Sequence, residues 1–129
     1  MEKLKKILKS SDIGMDAWYD SYLEDTSKII LDIINEGKTE ECFKILGELS
    51  KDEQIRFFEA ITNVQNISLL PYLFNILKEA DIEIAEPIID GLRCWELDLT
   101  EMEQLRNFSE KFYGESKVLD KVIDSFLKK

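Results

Sequence analysis

The sequence predicts an all-α fold, and three observations predict it. Apolar residues recur at spacings of three and four through most of the chain. Helix-start signatures stand before these stripes, Ser50-Lys51-Asp52-Glu53 most plainly. No run alternates with period two between turn signals, so no strand is expected. At 129 residues the chain reads as one domain, 1–129, long enough to bury a core without disulfide or metal staples.

The elements follow in order. Residues 2–9 read as a short helix, with Leu4, Ile7 and Leu8 inward and Lys3, Lys5, Lys6 and Lys9 outward. A basic amphipathic end can touch a membrane, but with an acidic body behind it this one reads as a docked terminal helix. Ser10 to Gly14 break it. The longest helix runs from about Asp16 to Glu36. Trp18, Tyr19, Tyr22, Leu23, Ile29, Ile30, Ile33 and Ile34 form its apolar face, with Asp20, Glu24, Lys28 and Asp32 opposite. Glu24 and Lys28 have the favourable i,i+4 order, and Gly37 suits a left-handed cap.

Thr39 starts the next helix, with Glu40 and Glu41 at the positive end of its dipole. Cys42, Phe43, Ile45, Leu46 and Leu49 give its buried side. The Ser50–Glu53 capping box opens a helix striped by Ile55, Phe58, Ile61 and Val64, and Asn63 to Asn66 form its exit turn. Ser68 is the expected cap of the following helix, with Pro71 in its first turn and Leu69, Tyr72, Leu73, Ile76, Leu77 and Ala80 as its stripe. Asp81 is the expected cap of another, striped by Ala85, Ile88, Ile89, Leu92 and Trp95. This stripe stays in phase across Pro87, which favours a helix continuing through the proline over a loop before it. Thr100-Glu101-Met102-Glu103 reads as a second capping box. Met102, Leu105, Phe108 and Phe112 follow it, and Gly114 closes the helix. A last helix carries Val118, Leu119, Val122, Ile123, Phe126 and Leu127.

Helix starts near Thr39, Ser68 and Thr100 lie 29 and 32 residues apart, and each opens a helix pair. Within the second pair, Leu70-Pro71-x-Leu73, Ile76-Leu77, Asp81 and Ile88-Ile89-x-x-Leu92 resemble one HEAT repeat. The resemblance implies antiparallel helix pairs stacked as a short α-solenoid of about seven or eight helices, built as a binding surface, with a globular helical bundle as the competing arrangement. It departs from the family where a basic residue is usual in the second helix, since Glu86 and Asp90 occupy that region.

Composition removes most chemistry. The chain has no histidine, which excludes Ser-His-Asp and Cys-His nucleophile systems and histidine metal sites. Phosphate-loop, dinucleotide and EF-hand patterns are absent from the sequence. Neither a catalytic residue nor a cofactor nor a metal ligand is expected, and the chain does not read as an enzyme. Cys42 and Cys94 stand alone and read as free buried thiols. No apolar run is long enough to span a membrane, and the charged N-terminus is unlike a signal peptide, so a cytosolic protein is expected.

The charge is −10 and unevenly spread. Residues 79–103 hold nine acids against Arg93 alone, a net charge of −8. Such a field repels nucleic acid and anionic lipid and favours a basic protein partner. Glu83, Glu86 and Asp90 form a ladder on one helix face, extended by Glu96 and Asp98. Like charges at these spacings repel by a few tenths of a kcal/mol per pair, so the ladder reads either as a solvated face or as a docking surface. Asp16, Tyr19 and Asp20 form a second, aromatic and acidic candidate. Trp95, at a helix end beside Glu96, is the aromatic best placed to anchor a contact.

The expected function is protein binding. In size and charge the chain is similar to small acidic immunity proteins that neutralise basic bacterial toxins such as nucleases. That resemblance implies that the acids cover the toxin's cationic surface. The alternative is a HEAT-like adaptor or scaffold that holds a peptide or subunit in its groove.

Overall fold

A computed structural model describes residues 1–10, 14–117, 119–121 and 124. Among them all regular secondary structure is helical, as expected. The chain divides into two compact units, Met1–Gln65 and Asn66–Lys129, and each is described by itself.

In the first unit, α1 (Glu2–Leu8) buries Leu4 and Leu8 completely. Its apolar side is therefore spent in the core. Arg56 donates to the carbonyls of Leu8 at 3.5 Å and Ser10 at 3.0 Å, closing the α1 end, and its guanidinium lies over the Trp18 ring at 5.7 Å. The expected break from Ser10 to Gly14 falls partly on residues 11–13, which lie outside the described residues.

The long helix comprises α2 (Met15–Ala17), a π-turn at Trp18–Tyr22, and α3 (Leu23–Asn35). The π-turn corrects the expected apolar face. Leu23 N–H donates to the Trp18 carbonyl, five residues back, so one extra residue enters the turn. Leu23 then takes the place that a regular helix would give Tyr22 relative to Trp18. As a result Trp18 is buried at 2% exposure, while Tyr19 and Tyr22 are 54% and 38% exposed. Beyond the turn, Ile30 and Ile33 are buried as expected. Gly37, at φ +80°, ends α3 in the left-handed conformation. Its N–H donates to the Ile34 carbonyl at 2.9 Å and that of Lys38 to Ile33 at 3.1 Å, the paired bonds of a Schellman cap.

α4 (Thr39–Lys44) starts at the expected residue but without a side-chain cap, and narrows into a 3-10 turn at Ile45–Glu48. Cys42, Ile45 and Leu49 are buried. The amide of Gln54 donates to the Leu46 and Leu49 carbonyls at 3.2 Å each, satisfying groups that the end of the turn leaves open. α5 (Lys51–Val64) opens with the complete Ser50–Glu53 capping box. Phe57 joins the expected Phe58 and Ile61 in the core, its ring edge-on to those of Phe43 and Phe58. α3 and α5 are tied by a buried polar contact. Ser27 Oγ shares its proton between the carbonyls of Leu23 at 2.8 Å and Ala60 at 2.9 Å, and accepts from Asn63 Nδ2 at 3.2 Å.

In the second unit the expected Ser68 cap is corrected. Asn66 Oδ1 accepts from Ser68 N–H at 3.0 Å and begins a 3-10 turn, Ile67–Leu69, that leads into α6 (Leu70–Leu77). The asparagine carbonyl reaches the amide two residues on, which competes successfully with a serine cap. Asp81 caps α7 (Ile82–Leu92) as expected, accepting from Ile84 N–H at 3.1 Å, and the helix runs through Pro87. Ala85, Ile88, Ile89, Leu92 and Trp95 are all buried.

α8 (Leu99–Glu110) starts two residues before the expected box, with Asp98 as cap. Its core face is narrow. Leu105 and Ser109 are buried, and Phe108 stacks obliquely on Phe74 with centroids 5.5 Å apart. Phe112 is also buried, and Gly114 follows at φ +84°. Of the last helix, residues 117, 119–121 and 124 are helical, and Leu119 is fully buried. Val118, Val122, Ile123, Phe126 and Leu127 lie outside the described residues.

Gln65 closes α5 at φ +56°, a left-handed conformation that side chains other than glycine adopt at a cost. Gln65→Gly should therefore raise unfolding stability by about 0.5–1 kcal/mol, whereas Ser50→Ala, which removes half of the capping box, should lower it by about 1 kcal/mol. Urea denaturation of both variants checks the pair, and a destabilised Gln65→Gly would contradict the backbone account.

Candidate functional site

Six of the nine candidate residues belong to the second unit and three to the first. In the second unit the α7 acids differ in what they already hold. Glu83 is exposed. Glu86 is half-buried and accepts the Ser116 hydroxyl at 2.9 Å. Asp90 is half-buried and lies 3.0 Å from Arg93 Nε, an i,i+3 pair with both side chains about two-fifths exposed. Pairs this exposed contribute little to stability. The ladder is thus graded, with its solvent-facing charge at the α7 start.

The connection from α7 to α8 carries the remaining acids. Glu96 is exposed. Asp98 accepts from Glu101 N–H at 2.7 Å, and Glu101 reaches back to Asp98 N–H at 3.0 Å, so both are committed to the capping box while Asp98 still faces solvent. Trp95, which the stripe places in the core and which is also the candidate anchor at the helix end, is only 7% exposed and lies in the core. The exposed apolar side chain of this connection is instead Leu99, at 85%. Sequence reasoning passed over Leu99 because it took Thr100 as the cap. Reading Asp98 as the cap puts Leu99 at the first helical position, outside the core stripe.

Within and just after this stretch the cations are Arg93 and Arg106, and both lie beside acids; exposed Lys78 precedes it. Arg106 lies 3.6 Å from each of Glu103 and Glu110, at i,i+3 and i,i+4. The stretch therefore keeps an excess of negative charge at its surface.

In the first unit, Asp16 and Asp20 are exposed around the π-turn. Tyr19 donates its hydroxyl to Glu59 Oε2 at 2.5 Å, which holds the ring against α5. The π-turn leaves Tyr19 and Tyr22 exposed beside Asp16 and Asp20.

Among the described residues, no group of three or more Cys, Asp or Glu side chains is placed to hold a metal ion, and no helix is long and apolar enough to cross a membrane. Protein-family models, curated proteins and solved structures give no match to this chain.

The two cysteines separate sharply. Cys42 is buried, and desolvation pushes its thiol up to about 11. Cys94 is exposed, against the expectation of two buried thiols, because it lies in the turn after α7 on the side away from buried Leu92 and Trp95. A thiol reagent at pH 8 should label one equivalent rapidly at Cys94 and leave Cys42 unreacted until the chain unfolds, as peptide mapping by mass spectrometry will show. Rapid labelling of Cys42 would contradict its placement.

Proposed function

We propose that this chain is a small acidic protein-binding protein, and specifically an immunity protein or inhibitor that covers the cationic surface of a basic toxin such as a nuclease. The observation that supports this reading is the charge of residues 79–103: nine acids with Arg93 as their one cation, and that guanidinium already beside Asp90. Glu79, Glu83, Glu96, Asp98 and Glu103 are exposed. A field of one sign raises the association rate with a partner of the other sign and gains from pairing with its Arg and Lys groups. Inhibition needs no chemistry from the inhibitor, only coverage, which suits a chain without histidine.

We also propose a stack of antiparallel helix pairs as the scaffold. The spacing of helix starts supports it: α4 begins at Thr39, the turn before α6 at Ile67 and α8 at Leu99.

The test is capture of partners from lysate of the source cells at low salt, with wild type and a Glu83→Lys/Glu96→Lys variant. Both positions are exposed, and neither is a cap or one of the half-buried ladder acids. The expected result is one basic protein, eluted by salt and lost in the variant, with toxicity that wild type suppresses. Retention of the same partners by the variant would remove the acidic stretch from the account.

A further inference from the structure

The first unit carries a surface of the opposite sign. An open groove of about 670 Å³ along α1 is lined by Glu2, Lys3, Lys5, Lys6, Lys9 and Glu48. Lys5 is neutralised: its Nζ lies 2.9 Å from Glu48 Oε2 and 3.6 Å from Glu2 Oε1. The hydrogen bond between them raises the Lys5 ammonium above its usual range and lowers the Glu48 carboxyl below its own. Lys3, Lys6 and Lys9 are exposed and have no ion pair among the described residues, in a chain with 27 acids and 17 bases. Lysines at i, i+3 and i+6 repel one another, so an anion seated among them relieves that repulsion. The rim carboxylates of Glu2 and Glu48 are turned to Lys5, and Glu48 also feels the charge of Lys9 through space.

We propose that this groove binds a multiply charged phosphate compound through Lys3, Lys6 and Lys9. Phosphate is favoured over carboxylate by the type of cation. The groove offers compact ammonium charges and no guanidinium, and a lysine serves a phosphate as a point charge, whereas planar carboxylates are best held by the bidentate arginine fork. The volume is that of a small-molecule site. A bilayer-inserted helix is disfavoured, because Leu4 and Leu8 are wholly buried in the core. The phosphate comes free in solution or on a lipid headgroup, and the two sources are separable.

The experiment titrates the full chain at low salt with inorganic tripolyphosphate, with citrate, and with vesicles of phosphatidylcholine containing phosphatidic acid, whose phosphomonoester can carry two negative charges. Amide chemical shifts and vesicle co-sedimentation are the readouts. Tripolyphosphate should give saturable shifts confined to residues 2–9 and the Glu48 turn, at least about five-fold tighter than citrate. The Lys3→Gln/Lys6→Gln/Lys9→Gln variant should weaken this by roughly ten-fold or more with an unchanged unfolding midpoint. Co-sedimentation lost in the same variant assigns the phosphate to a headgroup; tripolyphosphate binding without co-sedimentation assigns it to a free compound. Shifts that do not saturate, citrate binding as tightly, or full binding by the variant would overturn the proposal. Lys28→Gln, outside the groove, is the control and should bind as wild type.

Discussion

The reciprocal hydrogen bonds between Asp98 and Glu101 decide how the acidic stretch meets solvent. α7 ends at Leu92 and α8 begins at Leu99, and the connection between them keeps Trp95 buried. The box fixes the first turn of α8, satisfies backbone donors that a helix start leaves open, and holds two carboxylates at the surface. Asp81 caps α7 with a single carboxylate, accepting from Ile84 N–H. Acidic side chains thus serve as helix caps in the region with the most acid, so the same residues that order the local backbone also create the field.

How much of this was legible depends on the range of the signal. The Ser50–Glu53 box, the Gly37 cap, the Asp81 cap and the helix through Pro87 were readable, because each is local and each has one strong reading. The Asp98 cap was missed because Thr100 is followed at i+3 by Glu103 and mimics a box, while Asp98 is followed at i+3 by Glu101. Both patterns fit the rule, and the better-placed carboxylate won. Ser68 lost to Asn66 for a related reason, since the asparagine closes its own short turn. The π-turn had no sequence signature at all. Its one-residue slip is settled by the packing of Trp18 under Arg56 and against the first unit's core, and periodicity counted at 3.6 residues per turn cannot register it.

The candidate site was legible as charge and obscure as shape. The excess of acid between residues 79 and 103 is visible in a count, but which carboxylates face solvent depends on contacts from distant residues. Ser116 reaches Glu86 across 30 positions of sequence. Trp95 is buried, and the exposed apolar side chain nearby is Leu99, at the first position after the Asp98 cap. Segregated charge then gives the chain two surfaces of opposite sign, an acidic one on the α7–α8 stretch and a small basic one on α1.

The most direct test of the central claim is hydrogen–deuterium exchange of the chain, alone and with the basic protein proposed as its partner. Protection concentrated in residues 79–103, fading as salt is raised, is the result the account predicts. Protection confined to the π-turn and α3, or to α1, with residues 79–103 unchanged, would contradict it and place the partner on another surface.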